Sequence, residues 1–567
     1  MSRNLGFSAD DFERPVVGVL NTFSEVNRCH AHFGPLVEAV KRGVLMAGGV
    51  PLEFPTISLG EPFLEPSAML FRNLAAMDAE EMIRAQPFDA VVLVGGCDKT
   101  LPALVMGAAS ADLPALVVSG GPMLAGDFQG ERLGACTDCR RYWTEWRAGR
   151  IDADTLEAVN RELAPTHGHC MVMGTASTMA ITIEALGLML PGGAAIPAVH
   201  QERLAHAEAS GKAAVALARA GLRPSRILTP RAYRNALTVL AAIGGSTNAV
   251  VHLTAMAARS GIRIALDDFD RISRRTPLLT QVKPVGRYHL EDFYHAGGVP
   301  ALMWRLRALL EPDALTVTGR THRENWEALR VAERPVPEAY REVLADPERP
   351  FKPDGGLRVL RGNLCPDGAV IKSHAATPGL LRHRGPALVF ENEADLERRL
   401  SDVAATPEHV LVLKSIGPVG GPGMPEAGMI PIPPAVLRRG VRDMVRISDG
   451  RMSGTAYGTV VLHVAPEAAV GGPLAAVETG DMVRLDVEAG VLEVEVAPED
   501  LARRLQARRR PPRPARGYRR LYFDHVLQAP EGVDFDFLRP PTPWSLWDDP
   551  PEAELDEAAR QRAADGY

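Results

Sequence analysis

Three cysteines lie far apart in the sequence, at the ends of apolar, glycine-flanked segments: Cys29, Cys97 and Cys170. Thiolates are soft ligands suited to iron or zinc, and cysteines at strand ends can meet in a folded α/β core. Asp98 follows Cys97 directly, and a carboxylate suits magnesium or manganese. Lys99 is a poor ligand as an ammonium but becomes an anionic oxygen donor if it is converted to a carbamate. The pattern therefore predicts two adjacent metal sites and a metal-dependent lyase.

The metal-site interpretation has a simpler alternative, a buried cysteine beside a surface Asp–Lys pair. Other residues that could bind a metal ion or take part in catalysis also leave more than one interpretation open. Cys136 and Cys139 form a lone CxxC pair, which favours a structural or supporting use over metal binding, with a zinc site as the alternative. Glu426 is the carboxylate of a loop in which glycine and proline alternate. Ser453 and Thr455 lie in a second glycine-containing loop, which is either a phosphate-binding turn or a polar connection.

The elements that position these residues begin with an alternation of apolar runs and helical patterns. Continuous apolar runs predict strands of a parallel sheet covered by helices on both faces, at residues 16–20, 88–94 and 114–118. Ligands gather beyond the carboxyl ends of such strands. Cys97 is predicted at one of these ends, and Cys29 in the loop after the first strand. Cys170 precedes a predicted helix start, where the helix dipole favours a thiolate.

Prolines interrupt any regular pattern between residues 334 and 362, which predicts a domain boundary. We therefore expect an α/β protein with two domains. The N-terminal parallel-sheet α/β domain covers residues 1–350 and carries the three cysteines, and a C-terminal β-rich, barrel-like α/β domain covers residues 351–567 and carries Ser453. Short apolar runs predict the strands of the second domain, at residues 387–390, 409–413, 459–463, 483–487 and 491–496.

Length and charge narrow the class of protein. The 567 residues are too many for one compact core. The net charge of -7 argues against bulk nucleic-acid binding, and the arginines between residues 503 and 520 are interrupted by prolines, which favours a surface or subunit-contact segment. The chain begins without the pattern of a secretory signal and contains no run of about 20 apolar residues. We expect a cytoplasmic enzyme without a nucleic-acid or membrane partner.

Five motifs, in this order, resemble the dihydroxy-acid and sugar-acid dehydratase family: residues 95–100, 173–179, 245–248, 423–426 and 451–455. The resemblance runs over about residues 15–538. It implies a [2Fe–2S] cluster held by Cys29, Cys97 and Cys170, with one iron open to substrate. It also implies a magnesium ion and a homodimer or homotetramer. The magnesium ligands that correspond by motif are Glu61, Asp98, Lys99 as a carbamate, and Glu426.

The resemblance implies removal of water from a 2,3-dihydroxy acid, with Ser453 as the base and Thr455 orienting the serine or the substrate. Lys99, as the carbamate, belongs to the same catalytic set. The motifs look like the sugar-acid branch, so we expect an aldonate such as L-arabinonate or D-xylonate to yield a 2-keto-3-deoxy acid. The alternative is a dihydroxy-acid dehydratase of branched-chain amino-acid biosynthesis, which converts 2,3-dihydroxyisovalerate to 2-ketoisovalerate. A non-catalytic iron–sulfur sensor with the same fold is a further alternative.

Three residues beside the cysteines depart from the family pattern. Arg28 and His30 flank the first cysteine where proline and asparagine are usual, and His169 precedes the third where threonine is common. Groups next to metal ligands tune affinity and redox potential. We therefore expect these three residues to influence cluster stability or substrate choice.

Overall fold

The computed structural model describes Gly6, Ser8, residues 10–508 and residues 511–565. Arg509 and Arg510, part of the arginine-rich stretch, lie outside the described residues. The strands are β1 Val16–Asn21, β2 Val50–Pro55, β3 Ala90–Gly95, β4 Ala115–Ser119, β5 Gly126–Phe128, β6 Glu131–Leu133, β7 Ile262–Arg263, β8 Leu357–Leu360, β9 Gly368–Lys372, β10 Arg382–Phe390, β11 Val410–Leu413, β12 Arg446–Ser448, β13 Val460–Ala465, β14 Met482–Asp486, β15 Val491–Val494 and β16 Trp544–Ser545.

The helices follow in chain order. They are α1 Phe33–Met46, α2 Arg72–Ala85, α3 Thr100–Ala111, α4 Thr137–Arg147, α5 Ala153–Glu162, α6 Thr175–Ala185, α7 Gln201–Ala220, α8 Pro224–Ile227, α9 Pro230–Ala242, α10 Asn248–Arg259, α11 Leu266–Arg275, α12 Leu290–His295, α13 Gly298–Leu306, α14 His322–Ala328, α15 Glu393–Arg399, α16 Pro434–Leu437, α17 Pro498–Gln506, α18 Gly517–His525 and α19 Glu552–Asp565.

The first sheet is parallel and has the strand order β2-β1-β3-β4. Strands β3 and β4 are buried along their whole length, since the helix pairs α1–α7 and α2–α3 pack around the sheet. Neighbouring strands β1 and β3 connect onward in opposite directions, so the sheet has a topological switch point between them. Such points leave a crevice beyond the carboxyl ends of the two strands. The predicted parallel sheet is confirmed.

The second sheet has eight strands in the order β15-β14-β10-β11-β12-β13-β9-β8. Its central strands β10 to β13 run parallel, and the flanking pairs run antiparallel. Backbone hydrogen bonds join its two edges: the N–H of Arg361 donates to Gly490 over 2.8 Å, and the N–H of Leu492 donates to Arg361 over 2.8 Å. The predicted barrel-like sheet of the second half is thus confirmed, and its interior holds a separate apolar core.

The chain after the barrel returns to the first half. Strand β16 pairs in parallel with β7, and Arg72 donates to the carbonyl oxygens of Gly532 and Val533 over 2.9 Å each. Arg259 and Asp534, both with fully buried side chains, form an ion pair at 2.7 Å. The two halves are therefore fastened by a tail as well as by their shared interface. No helix in the described part of the chain combines the length and apolarity that spanning a membrane requires.

Candidate active site

Three thiols meet at the switch point of the parallel sheet. Cys97 lies two residues beyond the end of β3, and Cys29 lies in the loop after the neighbouring strand β1. Contact with the Cys29 thiol, together with burial, raises the pKa of Cys97 well above its ordinary value. Cys170 lies in the loop before α6, and electrostatic interaction with Cys29 is among the causes that raise its pKa. The structure thus brings together the three cysteines singled out in the sequence.

His30 fixes the loop that carries Cys97. Its Nε2 accepts hydrogen bonds from the backbone N–H groups of Gly96, at 3.2 Å, and Cys97, at 3.0 Å. Its Nδ1 therefore carries the proton and donates to the carbonyl of Thr22 at 2.8 Å. Burial lowers the pKa of His30 to about 3, so the ring is neutral. This residue departs from the family pattern. As a neutral ring, it connects the loop of Cys29 to the loop of Cys97 by hydrogen bonds.

The other two departures lie beside Cys29 and Cys170, where Arg28 is exposed and His169 is buried. Arg28 donates a hydrogen bond to the carbonyl of Ala164. The backbone N–H of His169 donates to Gly121 at 3.1 Å, and its carbonyl accepts from Met123 at 2.9 Å. Burial lowers the pKa of His169 to about 4. Both residues therefore anchor the segment that leads into Cys170.

A buried lysine lies at the centre of three carboxylates. The Nζ of Lys99 contacts Glu61 at 2.8 Å, Glu426 at 3.1 Å and the adjacent Asp98 more closely. Burial alone would lower the pKa of Lys99, but the three carboxylates outweigh it and raise the pKa above its ordinary value. Burial is also the main cause of the raised pKa of Asp98. All four residues assigned to magnesium by motif are thus within reach of one another.

Glu426 is held by donors that the sequence did not single out. Its Oε1 accepts from Asn248 at 2.7 Å and from Arg451 at 3.0 Å, besides Lys99. Burial opposes ionisation, but Lys99 and Arg451 outweigh it and lower the pKa of Glu426 to about 2. Asn248 closes the motif 245–248 and Arg451 opens the motif 451–455, so both stood inside recognised patterns without an assigned task.

Ser453 lies in the loop after β12, next to the loop after β11 that carries Glu426. The hydroxyls of Ser453 and Thr455 are 2.8 Å apart, and the N–H of Thr455 donates to the Ser453 oxygen at 3.4 Å. A methyl group at Gly454 would lie 2.5 Å from Cβ of Ser246 and 2.9 Å from the N–H nitrogen of Thr175. The loop is therefore pressed against the first half, where Ser246 and Thr175 hydrogen-bond each other at 2.9 Å.

Cys136 joins the thiols although the sequence did not predict it. Its Sγ lies 3.8 Å from Sγ of Cys170. Contact with Cys170 lowers the pKa of Cys136, with help from Arg140 and Thr455. Its CxxC partner Cys139 lines a different cavity of about 250 Å³, with Trp143 and Arg147. Cys136 takes a positive φ of 64°, which a sequence pattern does not reveal.

The donor sets suit the two groups expected from the family resemblance. Clustered cysteine thiols are the ligands that iron–sulfur clusters require, and buried carboxylates suit magnesium. The ammonium of Lys99 fills the space between its three carboxylates, in the position of a cation. Within the described ranges no three His, Cys, Asp or Glu side chains, the thiols included, are already spaced to bind a metal ion. Carbamate formation on Lys99 would remove that ammonium and leave four anionic groups for a divalent cation.

Comparisons with known proteins agree with this site. The chain matches the family described as dihydroxy-acid/6-phosphogluconate dehydratase, by its N-terminal part over residues 14–325 and its C-terminal part over residues 342–533. It is 52% identical to an L-arabonate dehydratase of Azospirillum brasilense, and the alignment covers 94% of this chain and 93% of that protein. It is 45% identical to a 6-deoxy-6-sulfo-D-gluconate dehydratase of Pseudomonas putida, over 95% of this chain and 93% of that protein.

A dihydroxy-acid dehydratase of Moorella thermoacetica is 42% identical, over 90% of this chain and 92% of that protein. Both halves of the family description match, and three relatives with different named substrates align over nearly the whole chain. The predicted family and the predicted enzyme class, a carbon–oxygen hydro-lyase, are confirmed. This chain belongs to the dihydroxy-acid/6-phosphogluconate dehydratase family.

Proposed function

We propose that this enzyme dehydrates an aldonate, such as L-arabinonate or D-xylonate, to the 2-keto-3-deoxy acid. The observation that carries the proposal is the 52% identity to an L-arabonate dehydratase across 94% of the chain. The site supports it, because Arg451, two residues before Ser453, donates to Glu426 at 3.0 Å and so ties the loop of the Ser453 and Thr455 hydroxyls to the carboxylates around Lys99. A base and a cation site are what abstraction of a proton next to a carboxylate requires.

The cofactors belong to the same proposal. Cys29, Cys97 and Cys170 would hold a [2Fe–2S] cluster, which suits three converging thiols from separate loops. Magnesium would be held by Glu61, Asp98, Glu426 and Lys99 as a carbamate. The three carboxylates that surround the Lys99 ammonium support this assignment. When bound, the two groups supply Lewis acids for the C3 hydroxyl and for the carboxylate with the C2 hydroxyl.

The protein's own residues then move the proton. Ser453, as the base, takes the C2 proton of the substrate. Its oxygen accepts from the N–H of Thr455 and shares a hydrogen bond with the Thr455 hydroxyl, and once Ser453 is an alkoxide both groups would donate to it and stabilise its negative charge. Asn248 and Arg451 keep Glu426 ionised and oriented. The C3 hydroxyl leaves with the proton that Ser453 has taken up, as one molecule of water, and the resulting enol tautomerises to the keto acid.

A substrate screen tests the proposal. Anaerobically purified enzyme is incubated with L-arabinonate, D-xylonate, other aldonates and 2,3-dihydroxyisovalerate, and 2-keto acid formation is measured. We expect the highest kcat/KM on an aldonate. Preference for 2,3-dihydroxyisovalerate would move the enzyme to branched-chain amino-acid biosynthesis, and no turnover of any acid by iron-loaded protein would support the sensor alternative.

The expected assembly is a homodimer or homotetramer. Val26 and Phe63, on the loops after β1 and β2, are 73% and 75% exposed. We propose that these two loops take part in the contact between subunits. Light scattering after size-exclusion chromatography measures the molar mass, and a monomer would contradict this part of the proposal.

A further inference from the structure

The site contains one more thiol than the cluster assigned to it requires. Cys136 Sγ lies 3.8 Å from Cys170 Sγ. Two thiolates on one tetrahedral metal ion lie about 3.8 Å apart, because each metal–sulfur bond is about 2.3 Å long. The separation therefore equals the one that a shared iron would impose.

The four thiols fall into two pairs. Cys29 contacts Cys97, and Cys136 contacts Cys170. A two-iron cluster with four cysteine ligands has this arrangement, with two thiolates on each iron. The three cysteines assigned by motif account for one complete pair and for half of the other.

The chain holds Cys136 in this place from both sides. The hydroxyl of Thr137 donates to the carbonyl of Thr455 at 3.0 Å, and the carboxylate of Asp138 accepts from the N–H of Gly134 at 2.7 Å. Between these anchors, Cys136 itself takes a positive φ of 64°. A non-glycine residue keeps such a backbone only where its surroundings impose it. These contacts direct the sulfur towards Cys170 and away from the cavity that Cys139 lines.

We propose that Cys136 is a fourth sulfur ligand, which occupies the open position of the iron that Cys170 holds while no substrate is present. The inference rests on the proposed [2Fe–2S] cluster of the proposed function. Substrate binding then requires the Cys136 sulfur to leave that iron with its electron pair. No electron is transferred, and no other bond is broken. The thiol would protect the iron between turnovers and would select for acids able to displace it.

The test compares wild-type protein with Cys136→Ala, Cys136→Ser and the matched control Cys139→Ser, all purified without oxygen. Iron and acid-labile sulfide are counted first. X-ray absorption at the iron edge then gives the mean number of sulfur neighbours per iron, and Mössbauer spectra resolve the two irons. In the substrate-free wild type we expect about four sulfurs per iron, and in Cys136→Ala about three and a half, since one of four thiolates is missing. Cys139→Ser should match the wild type.

Sodium L-arabinonate is the second probe. Added to the wild type, it should lower the sulfur count towards that of Cys136→Ala and shift the Mössbauer signal of one iron only. Added to Cys136→Ala, it should leave the sulfur count unchanged.

Two failures can be told apart. Wild-type protein without iron and sulfide would overturn the cofactor part of the proposed function. A wild-type protein with a full cluster but about three and a half sulfurs per iron before substrate would overturn this inference alone. That measurement needs no variant, so it decides the question even if the substitutions at Cys136 impair folding.

Discussion

Replacing Gly454 by alanine tests whether the serine loop must press against the first half of the chain. Gly454 has an ordinary backbone conformation, so the added methyl group acts through space alone. That group would lie 2.5 Å from Cβ of Ser246, where ordinary contact begins at 3.4 Å. The loop must therefore retreat by about 1 Å, and such a misplacement of a catalytic group lowers kcat by about 100-fold.

The assay is steady-state 2-keto acid formation, with iron content and the thermal unfolding midpoint measured on the same preparation. We expect the loss in kcat of Gly454→Ala with iron content unchanged, because the thiols are on other loops. Gly379→Ala is the matched control, since nothing lies within 4 Å of its added methyl group. Wild-type kcat in Gly454→Ala would refute the reasoning, as would a loss that follows the amount of unfolded protein.

Ser453→Ala should lower kcat by about 10²–10⁴-fold with iron content unchanged, and full turnover would exclude the serine as base. Asp534→Asn should destabilise the fold by about 3 kcal/mol in denaturant unfolding, because it removes the closer of the two carboxylates that pair with buried Arg259 and leaves only Glu80 at 3.3 Å. The exposed Asp536→Asn is its control, and equal midpoints for the two would contradict the argument. Burial lowers the pKa of Lys372 to about 7, so the unfolded chain binds more protons from about pH 7 to 10.5 and stability should rise with pH. The unfolding midpoint of Lys372→Met should therefore rise less with pH over this range than the midpoint of the wild type. Parallel pH dependences of the two midpoints would contradict the argument.

Sequence patterns predicted the elements well because their signals are local. The apolar runs that became β1, β3 and β4 are recognisable from their own composition, and the end of β3 placed Cys97 at a sheet edge. The rule for parallel sheets then predicted that Cys29 lies nearby, since it follows a neighbouring strand. The family and the fold class followed from these patterns together with the motifs.

Local sequence patterns could not predict the contacts between the two halves. Lys99 and Glu426 meet across 327 positions of the chain, and no periodicity encodes which loops face each other at that distance. The approach of Cys136 to Cys170 depends on one positive φ, which no composition signal marks in a cysteine. The domain limits at residues 350 and 351 and the tasks of the site residues stay predictions.

The returning tail has a consequence for biosynthesis. While a ribosome is still producing the barrel, Arg72 lacks the carbonyl of Val533 and Arg259 lacks Asp534, so each has only its partners within the first half, Asn73 for Arg72 and Glu80 for Arg259. Burying a charge that lacks part of its hydrogen-bond partners is unfavourable. The first half is therefore expected to stay loosely packed until the last residues emerge, so that cofactor loading follows completion of the polypeptide.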